Sequence, residues 1–138
     1  NNTSPKNMTG IWPMGHQVDH AVSAFIEDVH NRGLQDEILL VVTAEMGRTP
    51  RINRNGGRDH YGGLTTLLFA GGGLKMGQVI GESDRTASQP ATDPIGIPDL
   101  MATVMHTLFN VGELRVTSGI SNEIMQAITS GTPIRQLV

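Results

Sequence analysis

Residues 45–61, EMGRTPRINRNGGRDHY, place Glu45, Asp59 and His60 in one segment with Arg48, Arg51, Arg54 and Arg58. Carboxylate oxygens and an imidazole nitrogen are donors suited to zinc, manganese or magnesium, and the same groups perform general acid and base work. Guanidinium groups match the forked geometry of phosphate and sulfate oxygens. The segment therefore offers two chemistries: a divalent metal held by donors such as Glu45, His60 and Asp59, and an anion held by Arg48 and Arg58, with Arg51 and Arg54 as second choices. A plainer reading needs no substrate: the arginines are solvated, or pair with Glu45 and Asp59 to hold an irregular loop together.

Other candidates carry less. His16 and His20 are four apart, a spacing at which two imidazoles can share a metal on one helical face. Both lie about opposite Val18 on a helical wheel, which puts them toward solvent. His106 lies likewise opposite Val104, and His30 falls in a final helical turn, where a cation suits the dipole. Gly71, Gly72 and Gly73 are not followed by Gly-Lys-Ser/Thr, so a tight turn is favoured over a phosphate loop.

The elements that must position these groups follow from periodicity. Val18, Val22, Phe25, Ile26 and Val29 recur at helical spacing and predict a helix over 15–32 with one buried stripe, ended by Gly33. The run EILLVVTA at 37–44 does not alternate, and it predicts a strand buried on both faces of a parallel sheet. Glu45 then stands at the C-terminal end of that strand, where open parallel sheets place their ligands. LTTLLFA at 64–70 reads as a second interior strand, and GQVIG at 77–81 as a short third. Residues 82–97 read as a surface connection. Pro98 suits the first turn of a helix whose apolar face is Leu100, Met101, Val104, Met105 and Leu108, and a weaker helix follows Ser121. This order predicts an α/β layered fold, about half of a doubly wound sheet.

Composition sets the bounds. The chain has 138 residues, 38% hydrophobic and 17% charged, with a formal net charge of -3. That suits one globular domain, and no basic stripe supports a nucleic-acid partner. The absence of cysteine leaves only N and O ligands for any metal. The longest apolar run, Ile38 to Val42, is far below the roughly 20 residues of a membrane span. The polar opening NNTSPKNMTG lacks periodicity, so residues 1–13 are expected to be irregular and the chain to be the C-terminal segment of a longer domain.

The segments AEMGRTPRIN, GGRDHYG, LLFAGGGLKMGQVIG and PIRQLV, in that order, resemble the bacterial domain-of-unknown-function family 1501. The resemblance implies kinship with alkaline phosphatase-like and sulfatase-like hydrolases. DLMATVMHTLFNVG at 99–112 is similar to a helix near the C-terminal end of those enzymes. It implies the C-terminal part of a three-layer α/β sandwich with a mostly parallel central sheet. It also implies Glu45 as the carried-over metal carboxylate and His60 as a later ligand, with Asp59 binding directly or orienting the imidazole. Met46 stands where the better-known enzymes have His, and a thioether is a poor ligand for a hard divalent ion. The nucleophile and first ligands would come from a missing N-terminal half, and an export signal there would make the protein extracytoplasmic.

The function expected on these grounds is metal-dependent hydrolysis of phosphate or sulfate esters, incomplete in this segment. The alternative is a module that binds an anionic or sulfated glycan without turnover. A third possibility is a structural half-domain whose arginines support packing, and exposed apolar faces would favour it.

Overall fold

The computed structural model describes residues 11–138. Among these described residues, four helices and four short strands follow in the order α1 (Ile11–Asn31), β1 (Leu39–Val42), β2 (Gly47–Arg48), β3 (His60–Tyr61), β4 (Leu68–Gly71), α2 (Ile97–Leu108), α3 (Val111–Leu114) and α4 (Asn122–Thr129).

The sheet architecture corrects the expectation. β1 pairs antiparallel with β4, Leu39 opposite Gly71 and Val42 opposite Leu68, and β2 pairs antiparallel with β3. The described residues thus form two separate two-stranded sheets, not the mostly parallel three-layer sandwich of alkaline phosphatase-like enzymes. The reason lies in the connection. A parallel pair needs a crossover, usually a helix. Residues 43–67 hold the β2–β3 hairpin instead and return the chain alongside β1. An apolar run without alternation does not by itself distinguish the two pairings. All four residues of β1 are only half-buried, so the strand is not sandwiched between layers. Residues 77–81 form no strand; the next pairing is a single bridge from Ser83 to Pro90.

The triple glycine turns the chain, as expected. Gly71, Gly72 and Gly73 all have positive φ, and a Cβ on Gly71 would lie 2.2 Å from the Ile38 carbonyl oxygen. Only glycine reaches that conformation at that distance without strain.

The best-packed region is C-terminal. α2 starts with Gly96 at the N-cap and Pro98 in its first turn, while the Asp99 carboxylate accepts from the Gly96 amide at 2.9 Å. The Ser121 hydroxyl accepts from the Ile124 amide and starts α4. The two helices pack together, with Ala102, Thr103 and Ile128 essentially inaccessible. The tail 131–138 closes the unit: the Thr132 amide donates to Asp99, and the Ile134 amide donates to the buried Thr103 hydroxyl at 2.9 Å. Gly131 crosses so close to Pro98 that a Cβ would stand 2.2 Å from its backbone. The Lys75 amide donates to the Leu137 carbonyl, and the Gln78 side chain to that of Gln136, which ties the tail to the turn after β4.

α1 differs. It is already helical at Ile11, the first described residue and four before the expected start, so residues 11–13 are helical rather than irregular, while residues 1–10 of that expected stretch lie outside the described residues. Its apolar stripe is present but uncovered: Val18 is 54% exposed and Phe25 42%, and only Val29, near the helix end, is buried. No described helix is long and apolar enough to cross a membrane.

Candidate functional site

The arginine-rich segment forms a β-hairpin, and its order comes from hydrogen bonds rather than burial. Gly47 lies opposite Tyr61 and Arg48 opposite His60. A Cβ on Gly47 would fall 1.7 Å from the Leu64 carbonyl oxygen, so the hairpin base meets the following backbone where only glycine fits. The pleat turns Arg48 and His60 to one side and Tyr61 to the other. There the Tyr61 hydroxyl donates to the Ser88 carbonyl and fastens the hairpin to the 82–97 connection.

Beyond β2 and β3 the two arms stay in register. The Thr49 amide donates to the Asp59 carbonyl at 3.0 Å, and the Asp59 amide donates to the Thr49 hydroxyl at 3.0 Å. Asn53 organises the tip. Its amide donates to the Gly57 carbonyl, its carbonyl accepts from Gly56, and its side-chain oxygen accepts from the amides of Asn55 and Gly57. Its side-chain nitrogen donates to the Asp59 carboxylate at 2.8 Å.

The arginines divide into two kinds. The Arg58 guanidinium donates to the Thr49 carbonyl at 2.7 Å and to that of Pro50, and Arg48 reaches the Arg58 carbonyl at 3.4 Å. These bonds fix the groups against neutral acceptors and leave their charges uncompensated. Arg51 and Arg54 are exposed at the tip. Among the described residues the one ion pair within 4.0 Å is Arg32 with Asp28 on α1. Of the plainer alternative, the pairing of the loop arginines with Glu45 or Asp59 is therefore not formed, and the four arginines are exposed. Residues 45–61 hold four arginines against two carboxylates, a surplus of two positive charges on a chain of net charge -3.

The description of the segment as metal-binding is corrected. Among the described residues no three of His, Asp and Glu stand close enough to share a metal ion. His60 projects from β3 beside Arg48, a cation unfavourable to a bound divalent ion, and Asp59 is engaged by Asn53. Glu45 is exposed just before β2. Glu45, Asp59 and His60 do not gather into a three-donor cluster among the described residues. His16, His20, His30 and His106 are all exposed, as the helical wheel indicated, and the Trp12 ring meets His16 edge-on at 5.1 Å.

Asn53 and Tyr61, which are not among the candidate ligands, hold the hairpin together. The turn run NRNGG signals the first, since asparagine side chains bond the backbone two residues on. A separate cleft of about 620 Å³, lined by Ile80, Ile95, Asp99, Ile134 and Arg135 among others, lies along the C-terminal tail. None of its lining residues belongs to the hairpin. Asp99 there already accepts two backbone hydrogen bonds, from Thr132 and then Gly96, which hold its carboxyl below the usual value.

The chain belongs to the family described as "Protein of unknown function (DUF1501)", matched over residues 4–138. Comparison with curated proteins and with solved structures gave no match.

Proposed function

Taking this family member as it folds, we propose that it is an anion-binding module that holds the sulfate or phosphate groups of a glycan or ester on the 45–61 hairpin, without breaking a bond itself. One observation carries the reading: four guanidinium groups project from a hydrogen-bonded hairpin, and no carboxylate pairs with any of them among the described residues. A free, pre-positioned guanidinium gives charge-assisted hydrogen bonds to an oxyanion at little ordering cost. Arg48 and Arg58 supply fixed groups at the base, and Arg51 and Arg54 supply exposed ones at the tip. On a chain of opposite net charge, this local surplus concentrates anions at one place.

Retention on a sulfated resin, together with turnover of nitrophenyl phosphate and nitrophenyl sulfate, tests the proposal. The expected result is retention that falls steeply with salt, unchanged by chelator, and no ester release above buffer. Ester release lost in Glu45→Gln would overturn it in favour of hydrolysis.

The proposal extends to location and partner. Sulfated glycans lie outside the cytoplasm, which agrees with the extracytoplasmic placement implied by the resemblance; cell fractionation reads this out. The uncovered face of α1 is the surface on which an N-terminal half of the same polypeptide would pack. Its exposed Trp12, Met14, Val18, Phe25 and Ile26 support that reading. Adding upstream sequence should protect this face from solvent exchange.

A further inference from the structure

The hairpin contains an acid that could neutralise its own arginines. Asp59 precedes His60 of β3 and follows Arg58, across from Thr49 and close in sequence to the tip. An exposed carboxylate among four guanidinium groups would ordinarily find one of them, since charge-assisted pairs outcompete neutral hydrogen bonds. It does not do so here. The Asp59 carboxylate instead accepts from the neutral side-chain amide of Asn53 at 2.8 Å. That amide cannot drift away, because its oxygen is held at the same time by the amides of Asn55 and Gly57 at 3.0 and 3.1 Å. The backbone of Asn53 is fixed as well, by Gly57 and Gly56.

We infer that Asn53 is a positioning residue of the anion site, holding Asp59 away from the arginines so that their guanidinium groups stay free for a bound sulfate or phosphate. The inference rests on the anion-binding reading of the hairpin. Asparagine suits the position because it offers a donor to the carboxylate and an acceptor to the turn amides at once, without charge. Aspartate would repel Asp59 and add a second competitor for the arginines. Alanine would free Asp59 to swing onto Arg58 or Arg51.

The test uses the full chain, a heparin-derived hexasaccharide as probe, and the variants Asn53→Ala, Asp59→Asn and the double variant. Asn53→Ala is expected to bind about fivefold more weakly, the equilibrium equivalent of an exposed ion pair at the upper end of its range. Asp59→Asn should bind at least as tightly as wild type, and the double variant should match Asp59→Asn. A purely structural role for Asn53 gives another pattern, in which the double variant stays as weak as Asn53→Ala, and that result overturns the inference. Arginine side-chain NMR supplies a second readout independent of the probe. A slowly exchanging, carboxylate-paired Nε–H should appear in Asn53→Ala and be absent from wild type and the double variant. If that signal appears while wild type fails to bind the hexasaccharide, the anion reading fails and the positioning inference falls with it, though the Asn53–Asp59 restraint itself stands. If the signal never appears, the restraint is refuted whatever the binding.

Discussion

The C-terminal unit and the arginine hairpin are both well ordered, but different forces hold them. Around α2, α4 and the tail, order comes from burial: Ala102, Thr103, Ile128, Ile134 and Leu137 are removed from water, and the one polar member, Thr103, is satisfied at both ends. In the hairpin none of the charged groups of residues 45–61 is buried, and order comes from a chain of hydrogen bonds through Thr49, Asn53 and Asp59. Burial stabilises a fold and hides its side chains from partners. A hydrogen-bonded hairpin adds little stability but presents charge in a fixed place. The division suggests a scaffold and a binding element, the latter fastened by Tyr61 to the 82–97 connection that leads into α2.

Perturbing the scaffold should give the largest effects. Ile128→Ala removes a buried side chain that is 1% exposed, and is expected to cost about 2–5 kcal/mol in chemical denaturation. Gly131→Ala should be comparably damaging, because its Cβ would overlap the Pro98 backbone. A stability loss confined to the hairpin in either variant would break the comparison.

Perturbing the hairpin should reverse the pattern. Replacing Arg51 and Arg54 together by Ala should weaken binding of a sulfated oligosaccharide about tenfold, near 1.4 kcal/mol, with the melting temperature unmoved. Gly47→Ala should also lose binding, since a Cβ there meets the Leu64 carbonyl, while helical circular dichroism persists.

Acid should also act on the scaffold. The Asp99 carboxyl is held below its ordinary 3.8 by the amides of Thr132 and Gly96. Its folded pKa is depressed, so its contribution is present above 3.8 and is lost as pH falls through the lower, folded value. Asp99→Asn should flatten the acid limb of the stability curve below that pH, and an unchanged limb would remove Asp99 from the account.

On α1 the stability effect should also be small. Val18→Ser and Phe25→Ser change groups already 54% and 42% exposed, so unfolding free energy should move by about 0.5 kcal/mol or less. Binding of a hydrophobic dye should fall in both. A loss of several kcal/mol would show that this face is covered within the chain itself.

Some of this was legible in the sequence. The stripe of α1, Pro98 at the start of α2, Ser121 at the start of α4 and the turn at Gly71 are local signals with local causes, and each element forms where its signal lies. Strand partnership was not legible, because Leu39–Val42 is equally apolar beside a parallel or an antiparallel neighbour; the hairpin in residues 43–67 decides it. The six charged residues and the histidine of the site were visible as a set, but their division was not. Periodicity does not say that Arg58 turns to backbone carbonyls or that Asp59 turns to Asn53. The expected metal donors failed to gather for the same reason, since closeness in sequence along a hairpin is not convergence of side chains.

The claim that the unpaired guanidinium groups bind anions is tested most directly by calorimetric titration of the full chain with a heparin-derived hexasaccharide. It should be run at rising salt, with and without chelator, beside the Arg51→Ala/Arg54→Ala variant. The account predicts binding that weakens with salt, ignores chelator and drops about tenfold in the variant. Equal binding by the variant, or binding that vanishes with chelator, would contradict it.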